Sequence, residues 1–442
     1  MSIRSILCSV ASFVLFIGSL NLNAQGYSKE SYDSLVLKVR ELESAELVQS
    51  MSLRSLITPF YLTDLKGLIA KQAYDFWMEN DAEKYVSHLN IYSALYYANK
   101  YLDYDSVFQI SYNEKHGHNE SVTAIKYLNQ NPQIFYSAGT DGKVIKWNAE
   151  NLDELQEVVF DEPLLIESID IDDKDQWLLV QTKKRGVVMI NIAGSGVRER
   201  PFFTDKEPVQ AAIFSSQAGK YIVATKDGSI KMKSFSGDKV IGMSNASINT
   251  MVATENDEML LTGSREGVFE VWEDTISREF FYDEMYGINA MALSSDEKLL
   301  LIGREKGDAL LWNMEKMELI RIISGHQSAI TDVDFSADGK SMLTASRDKT
   351  VRIWDVKDSK KLPLILDDHD DWVLTASFDP NGKYVISGSK DRKIRIWPIE
   401  PQELADRICE NVTRNLTLSE WNDFVGENIP YRRTCPLIIE RP

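Results

Sequence analysis

The chain has 442 residues, 43% hydrophobic and 26% charged, a balance that excludes a disordered chain and is long enough for a large core plus a smaller domain. Its formal net charge of −18 opposes binding to nucleic acid or to anionic lipid, both of which are held mainly through clustered Lys and Arg.

The first 26 residues, MSIRSILCSVASFVLFIGSLNLNAQG, place Arg4 before an apolar stretch from Ile6 to Leu20 and end in Leu22-Asn23-Ala24 before Gln25. This is the pattern of a cleavable secretory signal over residues 1–24, and it predicts export to the periplasm or cell envelope. The stretch is short for a bilayer span, so the mature chain is expected to have none; an uncleaved anchor is the alternative. Cleavage after Ala24 removes Cys8 and leaves Cys409 and Cys435, an even count. In an oxidising compartment these two are expected to pair around the C-terminal segment, with two buried free thiols as the alternative.

Residues 27–103 read as helical. In TDLKGLIAKQAYDFWMEND the residues Leu65, Leu68, Ile69, Ala73, Phe76 and Trp77 recur at three- and four-residue steps. HLNIYSALYYANKYL carries two apolar stripes and is expected to be covered on both sides. Tyr32, Leu35, Val39 and Leu42 suggest a further helix before these.

From residue 105 the periodicity changes. Trp147, Trp272, Trp312, Trp354 and Trp397 stand at intervals of 125, 40, 42 and 43, and the first interval is close to three of the others. Two weaker units therefore lie in it, reaching Ile190 and Lys233, for seven units in all. In the sixth, Ile330, Val333 and Phe335 mark one strand, Ala337-Asp338-Gly339-Lys340 a hairpin turn, Met342 to Ser346 a second strand and Val351 to Trp354 a third. LPLIL at 362–366 supplies a fourth. Four short antiparallel strands every 40 to 45 residues predict an all-β seven-bladed β-propeller over residues 105–398.

These units resemble the WD-repeat family in Gly325-His326, Asp348 and Trp354-Asp355, with similar pieces at Gly117-His118, Asp141 and Trp147 and at His369, Asp391 and Trp397. The resemblance implies structural tetrads of His326, Ser346, Asp348 and Trp354 and of His369, Ser389, Asp391 and Trp397, hydrogen-bonded within their blades. A partial set is expected at His118, Asp141 and Trp147, because Gly139 stands at the Ser position. Units two to five lack the His, and two and three also lack the Trp, so they are expected to rely on apolar packing. The last blade lacks a strand after Trp397, where Pro398 removes a backbone donor; Asp105 to Tyr112 is expected to close the ring in its place.

A Ser/His/Asp set can be catalytic, because an oriented imidazole deprotonates a hydroxyl. Two nearly identical sets in adjacent units fit a structural device better than an active site. No P-loop, paired-Cys motif or nucleophile elbow is present, and no cofactor or metal is expected. Asp170, Asp172, Asp173 and Asp175 could form a calcium loop, but the register places them at the outer hairpin turn of unit two, where solvated acids are common.

After the ring, residues 399–442 form a helical extension. Leu404, Ile408 and Val412 share one helix face, Thr417 and Glu420 make a capping box, and Leu416 and Trp421 stand as a hydrophobic staple for a helix from about 418 to 425. This extension is expected to dock on the ring. LIAKQAYDFW and NIYSALYYAN before the blades, with NLTLSEW and YRRTCP after them, resemble the flanks of bacterial WD-repeat proteins of the signal-transduction NTPase type, without the NTPase.

The function expected from this reading is a non-enzymatic protein-interaction scaffold, a monomeric ring within a larger complex. The candidate partner-binding face comprises Asn119, Glu120, Gln327, Ser328, Arg347, Asp371, Trp372 and Lys390. Trp372 is the candidate hot spot, with packing between blades as the alternative. The competing reading is a periplasmic propeller enzyme or ligand sensor that binds a small molecule in the channel, although no convergence of acids or His on the channel is visible in the sequence.

Overall fold

The computed structural model describes residues 29–438 except 81, 103–116, 150–156, 185, 194–201, 204–208, 217–218, 235–236, 274 and 282–285. The expected signal peptide and the expected closing strand at 105–112 lie outside the described residues. The chain divides into two compact units, Met1–Val107 with Glu400–Pro442, and Phe108–Ile399.

The first unit is helical and draws on both flanks of the repeat region. Its helices are α1 (Lys29–Ile57), α2 (Thr63–Glu79), α3 (His88–Leu102), α4 (Pro401–Asn411) and α5 (Leu418–Phe424). On α2, Leu68, Ile69, Ala73, Phe76 and Trp77 are buried, as their spacing requires. Gly67 allows the close approach: a Cβ there would stand 2.8 Å from Leu102 Cδ1 and 3.2 Å from Ile408 Cγ2. The apolar face of α4 is thus buried against α2 and α3, and Asn99 Nδ2 ties α3 to the Leu404 carbonyl at 2.8 Å. Among the described residues no helix is long and apolar enough to cross a membrane.

Lys66 is fully buried in this unit, and no described carboxylate pairs with it. Its Nζ donates to the carbonyls of Ser55, Leu56 and Thr58, at 2.5, 3.0 and 3.3 Å. These carbonyls stand at or just past the end of α1, where the helix dipole also favours a cation. The capping box at Thr417 and Glu420 forms, with Leu416 and Trp421 buried beside it. Cys409 and Cys435 form a disulfide. The loop carrying Cys435 is also held by the Asn415 side chain, which bonds both its N–H and its carbonyl, and by Thr434 on Gln72.

The second unit is a ring of seven antiparallel sheets in sequence order. Six have four strands, and the seventh shows three among the described residues. The inner strands are Val122–Tyr127, Ile166–Ile171, Val209–Phe214, Ile248–Ala253, Ile288–Leu293, Ile330–Phe335 and Val373–Phe378. Each neighbours the next, and the seventh neighbours the first, so the ring is closed around a central channel. Blade six has strands Ile330–Phe335, Ser341–Ser346, Val351–Asp355 and Leu364–Leu366, and the hairpin joining the first two turns through Gly339 at φ +65°.

The seams between blades follow from one local irregularity. Every inner strand bulges at its second residue against the second strand of its blade, between Val122 and Ala124 in blade one and at the same place in the other six. Four of the bulged side chains reach the next blade: Thr123 donates to the Ile166 carbonyl, Asn249 to Ile288, Asn289 to Ile330 and Thr331 to Val373.

Acidic turn residues make a second set of ties. Asp175, Asp257 and Glu297 hold positive φ of 55–57°, a conformation costly without glycine. Each carboxylate offsets that cost by accepting backbone N–H groups from the preceding blade, Asp175 from Asn129 and Gln130, Asp257 from Ser216 and Glu297 from Glu255. Asp175 is therefore a tie between blades, and Asp172 accepts the amides of Gln176 and Trp177 in its own turn. No group of acids, His or Cys among the described residues is arranged to hold a metal ion.

Candidate interaction face

Blade seven shows how its polar set is assembled. His369 stands on the loop before the inner strand, Asp391 in the turn between second and third strands, and Trp397 on the third strand. His369 Nδ1 lies 2.8 Å from Asp391 Oδ2. Its Nε2 lies 2.8 Å from Ser387 Oγ, which also accepts Trp397 Nε1 at 2.8 Å. Blade six repeats this with His326, Asp348, Thr344 and Trp354, and blade one with His118, Asp141, Ser137 and Trp147.

Two expectations are corrected here. The hydroxyl at the centre is not Ser346 or Ser389 but Thr344 or Ser387, two residues earlier on the same strand face. Blade one is also complete, because Ser137 takes that place despite Gly139. Ser346 and Ser389 instead hold the neighbouring loop. Each donates to the segment before the inner strand, at the Ser328 and Asp371 carbonyls, and accepts the N–H of Asp348 or Asp391.

The direction of these bonds settles what the set can do. With the imidazole proton on Nδ1, Trp N–H donates to the hydroxyl, the hydroxyl donates to His Nε2, and His Nδ1–H donates to the carboxylate, so a neutral imidazole satisfies the indole, hydroxyl and ring donors of the set. Burial pushes the His369 ring down in pKa, outweighing the opposite pull of Asp391. Burial alone would raise the Asp391 and Asp348 carboxyls, but their His partners and backbone N–H groups hold both well below the usual range. The hydroxyls of Ser137, Thr344 and Ser387 are wholly buried, out of reach of any substrate. The sets have the connectivity of a hydrolase triad and none of its access.

The other blades solve the same packing problem differently. In blade four Trp272 Nε1 reaches Thr262 at 3.2 Å without a His. In blade five the corresponding hub is Ile302, and Trp312 Nε1 is buried without an acceptor while its ring packs edge-on against Phe269 and Phe280. Blade five adds a buried pair that sequence reading missed, Arg304 with Asp308 at 2.8 and 2.5 Å. The signal was present as a basic and an acidic residue flanking a turn, but nothing in the sequence marks them as buried.

Of the expected face residues, Arg347, Asp371, Trp372 and Lys390 are brought together. Trp372 is 39% exposed, with the Arg347 guanidinium 4.9 Å and the Lys390 ammonium 4.3 Å from its ring. Lys390 pairs with Asp371 at 3.7 Å. Trp372 thus rests against both blades and still presents itself to solvent. Gln327 and Ser328 stand on the equivalent loop of blade six, and Asn119 and Glu120 on that of blade one, where Glu120 accepts the Thr140 hydroxyl.

On the channel wall the structure departs from the expectation of no convergence. Lys126, Asp170, Asp332 and Asp334 come from the inner strands of blades one, two and six, and Lys126 Nζ lies 4.0 Å from Asp170. Each carboxylate is occupied by backbone of the following blade: Asp170 accepts Phe214 N–H, Asp332 Ala376 N–H and Asp334 Phe378 N–H.

The family described as WD domain, G-beta repeat matches residues 110–148, 317–355 and 360–398. The chain is a seven-bladed β-propeller with WD40 repeats. The three matches end at Trp147-Asn148, Trp354-Asp355 and Trp397-Pro398, in the blades with the complete polar sets. Among similar proteins, transducin beta-like protein 3 of Bos taurus is 31% identical over 25% of this chain and 14% of its own length. NACHT domain- and WD repeat-containing protein 1 of Mus musculus is 34% identical over 16% and 4%, and periodic tryptophan protein 2 of Arabidopsis thaliana is 28% identical over 30% and 15%. The chain therefore spans only a small part of these relatives.

Proposed function

We propose that this chain is an exported, non-catalytic scaffold of a bacterial cell envelope that holds a protein partner on the loops of blades six and seven, within a larger assembly such as a secretion or motility complex. The observation that carries the reading is Trp372, an exposed aromatic gripped by Arg347 and Lys390 on a ring whose blade His and hydroxyl groups are consumed internally. Exposed, well-supported aromatic and Arg side chains dominate interface energetics. The N-terminal apolar stretch supports the export part of the reading.

The test is in-cell crosslinking with mass spectrometry on envelope fractions. Trp372→Ala and Lys390→Glu should each remove the dominant crosslinked protein, while Ile276→Ser on the outer rim should retain it. An unchanged set of crosslinked proteins in the two face variants overturns the choice of face, and recovery of the chain in the cytoplasmic fraction overturns export.

A further inference from the structure

We infer that the seam between blades six and seven is a proton-sensitive joint, worked by the carboxylates of Asp332 and Asp334. The two residues are alternate positions on one inner strand, so both side chains lie on the same face of it. Asp332 Oδ2 accepts Thr375 Oγ1 at 2.9 Å and Ala376 N at 3.0 Å, both from blade seven. Asp334 Oδ2 accepts Ser377 Oγ at 2.8 Å and Phe378 N at 2.9 Å from the same strand. Their Oδ1 atoms take the N–H groups of Val333 and Phe335. Blade seven is therefore hung on two neighbouring carboxylates of blade six.

The charges around this pair leave negative charge in excess. The facing strand of blade seven offers only neutral Thr375 and Ser377, blade five offers Ala290 and Ala292, and the second strand of blade six offers Ala345 and Leu343. Lys126 on blade one is the cation that acts on the pair, and it also serves Asp170 on blade two. Lys126 and Asp170 remain open to solvent, at 53% and 24% side-chain exposure, and Asp332 and Asp334 are half-buried. Burial pushes Asp332 up to about 6, against the pull of its hydrogen bonds and Lys126, and Asp334 adds to the rise. Burial raises Asp334 and Asp170 as well.

The sign follows from linkage. A carboxyl that binds its proton more tightly in the folded state contributes stability that is fully present below its unfolded pKa, near 3.8, and is lost as pH rises through about 6. The seam is thus tightest in mild acid and loosest at neutral pH, opposite to ordinary acid denaturation. Arg347 lies on one side of the seam and Trp372 on the other, so the joint also sets their separation. That consequence rests on the function proposed above; the joint itself does not, and it is tested in the free protein.

The experiment is amide hydrogen exchange by mass spectrometry on the full chain at pH 7.5 and 5.5, corrected for intrinsic rates, in wild type and Asp332→Asn. On acidification the change in protection of the peptide spanning 373–378 should be about fourfold more favourable in wild type than in Asp332→Asn, the factor that a pKa near 6 gives over this interval. Because His369 in the same blade titrates in the opposite sense, the quantity read is the difference between the two proteins. An identical pH response in both overturns the joint. Lys126→Met provides a second measurement: removing the cation should move the wild-type transition to higher pH, and a shift downward or none at all overturns the electrostatic account.

Discussion

Blades seven and five pair their first three strands in the same register and hold them by opposite means. In blade seven a wholly buried Trp397 donates into a chain of hydroxyl, imidazole and carboxylate. In blade five Trp312 occupies the same place with no acceptor for its N–H and is packed between phenylalanines, with Arg304 and Asp308 beside the turn. The fold demands a large flat side chain at this position; it does not demand a polar network. The network adds specificity, since it ties the loop before the inner strand to the turn before the third.

Truncating the two indoles should separate the blades most widely. Trp397→Ala should cost about 3–5 kcal/mol in chemical denaturation, the range for emptying a buried aromatic site. Trp312→Phe should cost under about 1.5 kcal/mol, because the ring is roughly conserved and no hydrogen bond is lost. Trp397→Phe, which keeps a ring but strands the Ser387 hydroxyl, should cost more than Trp312→Phe; equal costs would refute the distinction. Next in size, Ser387→Ala should cost about 2–3 kcal/mol, since it strands both the Trp397 N–H and His369 Nε2, whereas Ser389→Ala should cost about 1 kcal/mol. A reversed order would return the hub to Ser389.

A pH series separates the two blades by another route, because blade five has no imidazole–carboxylate pair of this kind. Asp391 has a folded pKa held below its unfolded value, so its contribution is present above about 3.8 and is lost as pH falls through the lower folded value. Asp391→Asn should therefore be costly at pH 6 and progressively less so toward pH 2, as followed by denaturant midpoints. The smallest effect is expected at the turns: Asp257→Gly exchanges two side-chain bonds for relief of a left-handed backbone and should change stability by no more than about 1 kcal/mol.

The ring was readable in the sequence because strand length, turn chemistry and tryptophan spacing repeat together, and that register recovers even blades two and three, which lack the His and Trp at the repeat positions. The hub was misplaced by two residues for a physical reason. Alternate residues of a strand share a face, so Thr344 and Ser346 both point inward, and only the depth of the Trp354 indole decides between them. The channel acids were missed because the inner strand of blade six comes near those of blades one and two only when the ring closes. The joining of both flanks into one helical unit was equally invisible, since it depends on contacts such as Asn99 with Leu404, 305 residues apart.

Arg347 and Trp372 stand on loops of different blades and meet only where blades six and seven abut. The recognition surface they form is a discontinuous epitope. A synthetic peptide carrying either loop, or an excised single repeat, would lack half of it, so only an intact ring can serve as a competitor or as the antigen for a blocking antibody.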